Sequence, residues 1–171
     1  MRAPDIAYLA EQPEHDDEID AINAEAFGPG RYARAAYKIR EGGPHERRLS
    51  FVALAGRTVI GSVRLTRIAA GSGTALLLGP LAVRPAYKNV GIGRKLVAIA
   101  LDAAKSANFS AVVLVGDAPY YGPLGFSRMP RGQIIMPRPV DPERLLIAEL
   151  KPGAASRLTG DVVHADQARP R

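Results

Sequence analysis

Between Leu76 and Arg94 the chain reads LLLGPLAVRPAYKNVGIGR, and this run restricts the fold more than any other. Ala75 to Val83 is apolar almost throughout, the pattern of a strand covered on both faces. Gly79-Pro80 interrupts it. Proline donates nothing to a ladder and sits in sheets only at edges, strand starts or bulges. A bulge bends its strand and releases backbone groups from pairing. The run therefore predicts a central strand with a fault at Pro80. Past the fault, Leu81, Ala82 and Val83 offer N–H and C=O groups to something other than a neighbouring strand. A ligand arm with amides of its own, such as pantetheine, meets that demand.

A short turn then leads to Gly91 and Gly93. From there Ile92, Leu96, Ile99, Ala100, Ala103 and Ala107 fall on one helical face. The first turn of a helix leaves its N–H groups unpaired, and the macrodipole adds positive charge to them. Lys88, Arg94 and Lys95 put cations around the same turn. The backbone amides of Lys88, Asn89, Val90, Gly91, Ile92, Gly93 and Arg94 are thus expected to cradle a diphosphate. A pair of glycines alone fits a plain turn equally well. Two better-defined phosphate motifs are missing: Leu96 stands where a dinucleotide fingerprint needs its third glycine, and no GxxxxGK[ST] occurs.

The remaining segments alternate strand and helix. Asp5 to Glu11 reads as a strand, and a helix follows from Pro13, with Ile19, Ile22 and Ala26 on its buried face. Gly28-Pro29-Gly30 ends it. A second helix is expected over Tyr32 to Arg40, with Tyr32, Ala36 and Ile39 inward. The loop beyond holds His45 and Glu46, read mainly as solvated. Leu49–Leu54 and Thr58–Ile68 form a hairpin around Ala55-Gly56-Arg57, and Ala69 to Gly73 turns the chain into the faulted strand. After the glycine-led helix, Ser110 to Val115 is a second apolar strand. A helix between two such strands makes them parallel, and ligands bind at the C-terminal ends of parallel strands. Val83 and Val115 lie at those ends. Arg144 to Lys151 reads as a last sheet strand, Gly153 to Val163 as a turn and an edge strand, and 165–171 as a loose tail. One domain over 1–171, with its core at about 5–151, accounts for all of it.

The stretch LGPLAVRPAYKNVGIGRKL resembles the cofactor motif of GNAT-type N-acyltransferases, roughly [RQ]-x-x-G-x-[GA] after a bulged strand. Lys88, Gly91 and Gly93 carry the match; Lys88 replaces the usual Arg or Gln and keeps its charge. DAPYYGPLGF, Asp117 to Phe126, resembles the second half of that pattern. The resemblance implies an α/β (α+β) GNAT fold: a mixed, mostly antiparallel sheet, splayed between its fourth and fifth strands and flanked by helices. It implies acetyl-CoA as co-substrate and no metal. It also implies that Tyr121, four residues before Gly125, is the general acid.

The chemistry expected is direct attack by a primary amine on the thioester in a ternary complex, with a backbone N–H of Leu81 or Val83 stabilising the oxyanion. Asp117 and Tyr120 are the candidate substrate contacts. A turn-capping role competes for Asp117, and packing competes for Tyr120. A small-molecule acceptor is expected, since no peptide-docking signature is present. The competing classes are a non-catalytic CoA-binding module and a nucleic-acid-binding domain. The net charge of +6 suits polyanions in general, but no nucleic-acid motif accompanies it and aromatic content is 6%. With no cysteine there is no thiolate metal site or cysteine nucleophile. No apolar run is long enough to span a bilayer, and the N-terminus lacks a signal-peptide core, so a cytoplasmic protein is expected. A homodimer pairing through the C-terminal strand is the expected assembly, if any.

Overall fold

In the computed structural model, which describes residues 5–168, β1 (Ile6–Ala10), β2 (Phe51–Ala55), β3 (Thr58–Gly71) and β4 (Gly73–Val83) form an antiparallel run. β3 is longer than expected. Ala69 and Ala70 continue the strand instead of turning it, and Ala70 already pairs with Gly73. β4 covers one side of β3 along its length. On the other side β2 pairs with the first half, and β9 (Leu158–His164) pairs with the second, Ile68 opposite His164.

The fault at Gly79-Pro80 is a bulge. Leu65 pairs with Leu78 and Val63 with Leu81, so Gly79 and Pro80 together oppose the single residue Arg64. Gly79 has φ of 143°, a conformation that side chains rarely adopt.

β5 (Ala111–Val115) is parallel to β4, as expected, but only at Leu76–Val112 and Leu77–Val113. The two strands therefore part after Leu77, ahead of Pro80 rather than at it. β5 then follows β8 (Leu145–Glu149), paired antiparallel from Ala111–Glu149 to Val115–Leu145, and β6 (Ser127–Arg128) adds to the far side of β8. The result is an open, mixed, mostly antiparallel sheet splayed between β4 and β5.

Helices cover both faces. α3 (Ile92–Ser106) packs with Leu76 and Leu78 on one. α1 (Asp16–Phe27) and α2 (Ala35–Arg40) cover the other, where Leu77 and Ala82 point. The buried face of α3 is Ile92, Leu96, Val97, Ala100 and Ala104. Ala107, expected inside, is exposed, because the helix lies flat on the sheet and its apolar stripe is centred one position later. Ala26 is likewise exposed on α1, where Asn23 is buried instead. Tyr32 falls in a 3-10 turn before α2 and is 51% exposed; Ala35 and Ile39 face inward.

The C-terminal segments are tied in more firmly than expected. β9, expected at an edge, lies between β3 and β7 (Ile134–Ile135). Ala165–Gln167 forms a 3-10 turn in which Asp166 pairs with Arg67 and Gln167 Nε2 donates to Gly42 O at 2.8 Å. The rest of the expected loose tail, 169–171, lies outside the described residues. Among the described residues, no helix is long and apolar enough to cross a membrane.

His45 and Glu46 are paired rather than solvated. Glu46 Oε1 accepts from Arg67 Nε at 2.6 Å. His45 Nε2 bonds the Glu11 carboxylate, whose other oxygen accepts from Arg64 Nε at 3.1 Å. Asp16 takes Arg64 Nη2 at 3.2 Å and Arg47 Nη1 at 2.9 Å. Glu11 is 1% exposed. Burial alone raises its pKa, but the His45 hydrogen bond and the Arg64 charge outweigh burial and hold it below the ordinary carboxylate value.

Candidate active site

Beyond Leu77 only β3 holds β4, so the ladder between them decides which amides face the gap. Arg84 N–H donates to Ile60 O at 2.8 Å. Antiparallel pairs alternate between bonded and non-bonded positions. Counting back from Arg84, Ala82 N–H turns to β3, while the N–H groups of Leu81 and Val83 face the side that β5 has left. Both residues named for oxyanion stabilisation therefore sit correctly, and Ala82 serves the ladder.

The turn after β4 makes the second half of the site. Lys88 N–H is spent on Pro85 O at 3.3 Å, so the expected cradle loses its first member. Asn89 and Gly91 both have positive φ, 64° and 89°, which turns successive amides toward one side. α3 makes its first backbone bond from Lys95 N–H to Gly91 O. Among the described residues, no protein group accepts from the amides of 89–94. These residues, with Leu81, Ala82, Val83 and Lys88, line a groove of about 550 Å³. Val90 is the exception: it is 71% exposed and absent from the groove wall.

α4 (Ala118–Tyr121) starts at the C-terminal end of β5 and brings two tyrosines to the gap. Their rings meet edge to face at 4.8 Å, and Tyr121 meets Phe126 the same way at 5.7 Å. Gly116 makes room for this packing, since a Cβ there would stand 2.5 Å from Tyr121 Cε2. Burial, reinforced by Tyr120 and Asp117, pushes the Tyr121 hydroxyl up to about 12. Tyr120 Oη lies over Gly93, where a Cβ would meet it at 2.7 Å. Tyr120 thus borders both the phosphate groove and the larger cleft beside it.

That cleft, about 920 Å³, runs between the splayed strands and under α1 and α2. Asp117 lines its mouth. The capping role open to Asp117 is not taken: its side chain makes no cap hydrogen bond and instead lies 3.4 Å from Arg144 Nε. The sequence reading missed three residues of the wall: Asn23 of α1, Arg40 of α2 and Arg64 of β3. Arg40 Nη1 donates to Gly79 O at 3.1 Å, placing its charge at the bulge. Only the periodicity of α1 carried a trace of this, through the polar Asn23 beside its buried stripe.

Residues 14–126 match the model of the Acetyltransferase (GNAT) family. A GNAT family N-acetyltransferase (YhbS) from Escherichia coli, solved in complex with CoA, superposes with a TM-score of 0.80. It is 25% identical, over 97% of this chain and 93% of that one. A GNAT family acetyltransferase from Brucella melitensis, solved with acetyl-CoA, gives a TM-score of 0.70 at 24% identity, over 97% of this chain and all of that one. Among curated proteins, no sequence matches. The family model spans most of the sheet and both halves of the site, and on that match the chain belongs to the GNAT acetyltransferase family.

Proposed function

We propose that the chain transfers the acetyl group of acetyl-CoA to a primary amine of a small-molecule acceptor, by direct attack in a ternary complex. One observation carries this reading: the Leu81 and Val83 amides face a gap that has an unsatisfied amide turn at one end and Tyr121 at the other. Pantetheine has the amides to pair with such a strand, and the amides around Gly91 suit a diphosphate.

Acetyl-CoA supplies the thioester carbonyl. The amine nitrogen bonds to that carbon, and the C–S bond breaks with its electron pair going to sulfur. The Leu81 or Val83 N–H holds the charge that grows on the carbonyl oxygen. Tyr121 Oη gives the sulfur its proton and regains one that the substituted nitrogen loses. With the hydroxyl at about 12 and a thiol near 8.5, a stepwise handover is uphill by roughly three to four pK units. The mismatch is larger than the sequence alone suggested. Tyr121 therefore moves its proton as the C–S bond breaks, not after. Asp117, at the mouth, attracts the incoming ammonium.

Calorimetry with acetyl-CoA, followed by thiol release and product mass over an amine panel, tests the reading. The chain has no cysteine, so every free thiol detected comes from CoA. Heat of binding and an acetylated amine are expected. No heat sinks the proposal, and binding without acetylation of any amine points to a binding module. Within the same assay, Gly116→Ala should lower kcat about a hundredfold by displacing the Tyr121 ring, with acetyl-CoA affinity unchanged.

A further inference from the structure

The acceptor cleft holds a cation that no carboxylate neutralises. Arg40 is half-buried, and its guanidinium bonds one protein acceptor, Gly79 O. It makes no ion pair within the described residues. Arg64, its cationic neighbour in the cleft wall, is already matched by Glu11 and Asp16. Asp20 is close enough for Arg40 to feel its charge but does not reach ion-pairing distance. Burial, with repulsion from Arg64, pulls the Arg40 pKa down to about 10, the mark of a cation lacking its counter-charge. A guanidinium presents five N–H donors in a planar fork that matches a carboxylate, so most of its donors are free.

A second observation lies on the same wall. Asn23 is 8% exposed, and its Oδ1 has no hydrogen-bond partner. A buried acceptor left unpaired costs free energy that a ligand N–H recovers. The cleft thus lacks an anion at one place and a donor at another. Its wall also carries six Arg and Lys side chains against three Asp, which disfavours polycations.

We propose that the acceptor is an amino acid, its carboxylate received by the Arg40 guanidinium and one of its N–H groups by Asn23 Oδ1. The inference rests on the acetyl-transfer reading only for what happens to the bound molecule. Polyamines and aminoglycosides are excluded as preferred acceptors.

The test compares amino acids with their decarboxylated amines: L-phenylalanine with phenethylamine, L-methionine with 3-methylthiopropylamine, L-lysine with cadaverine. O-Phosphoethanolamine is added as the phosphate-bearing alternative. Acetylation is followed by thiol release, and calorimetry into CoA-loaded protein reads binding without turnover. At least one amino acid should exceed its amine in kcat/KM by about tenfold or more. Arg40→Gln should abolish that ratio, and Arg40→Lys should keep part of it. If Arg40→Gln fails to fold, the wild-type ratio and Arg40→Lys decide. The proposal is overturned if the amines equal their amino acids, if Arg40→Gln preserves the ratio, if O-phosphoethanolamine is preferred, or if no amino acid gives heat. Arg40-dependent binding of an amino acid with no acetylated product would instead sink the transfer reading and leave the carboxylate site standing.

Discussion

Tyr121→Phe is expected to lower kcat by roughly 10²–10⁴-fold, the usual contribution of a positioned proton donor, with the KM for acetyl-CoA nearly unchanged. The substitution keeps the edge-to-face contacts with Tyr120 and Phe126 and removes only the hydroxyl. Any loss therefore belongs to the proton and not to packing. With its pKa at about 12, the wild-type hydroxyl stays protonated across the ordinary assay range. Tyr121 should therefore contribute no basic limb to the pH–rate profile. Steady-state kinetics of both proteins decide the matter, and an unchanged kcat would remove Tyr121 from the mechanism.

The largest stability effect is expected at Glu11. Its buried carboxylate is bound by His45 and Arg64, with Arg47 Nη1 3.5 Å away. Glu11→Ala leaves those groups facing an empty, buried space. Removing one partner of a buried ion pair costs about 3–5 kcal/mol, which for a chain of this size lowers Tm by about 10 °C. The pH dependence has a definite sign. The folded pKa of Glu11 is below its unfolded value, so its contribution is complete above the ordinary carboxylate range. It is lost as pH falls through the lower, folded value. Denaturant titrations should show wild type losing more stability than Glu11→Ala on acidification. Parallel loss in both proteins would mean that Glu11 is not the group responsible.

The site was legible in sequence where local chemistry decides it. Gly79-Pro80 announced the bulge because no regular central strand accepts that pair, and Gly91 and Gly93 announced the amide turn because few other residues suit it. The tyrosines of α4 were found through resemblance, since two aromatic residues after a strand say little by themselves. Other features depend on contacts between distant segments. Glu11 meets His45 and Arg64 only once β1, the loop before β2 and β3 are assembled. Arg40 looks like an ordinary charged helix end until Gly79 O is found beside it. β9 read as an edge because its pairing with β3 depends on β2 being short. Tyr32 read as inward because the helix was extended through a segment that Pro29 and Gly30 wind as a 3-10 turn.

The extra residue in β4 also sets which way its side chains point. Before it, even-numbered Leu76 and Leu78 touch the α3 layer; after it, odd-numbered Leu81 and Val83 do. Ala82, between them, belongs to the α1 layer. Deleting Pro80 alone would reverse this parity, send Leu81 and Val83 toward α1, and turn their amides into the β3 ladder. Changes in length at this point are therefore tolerated only two residues at a time.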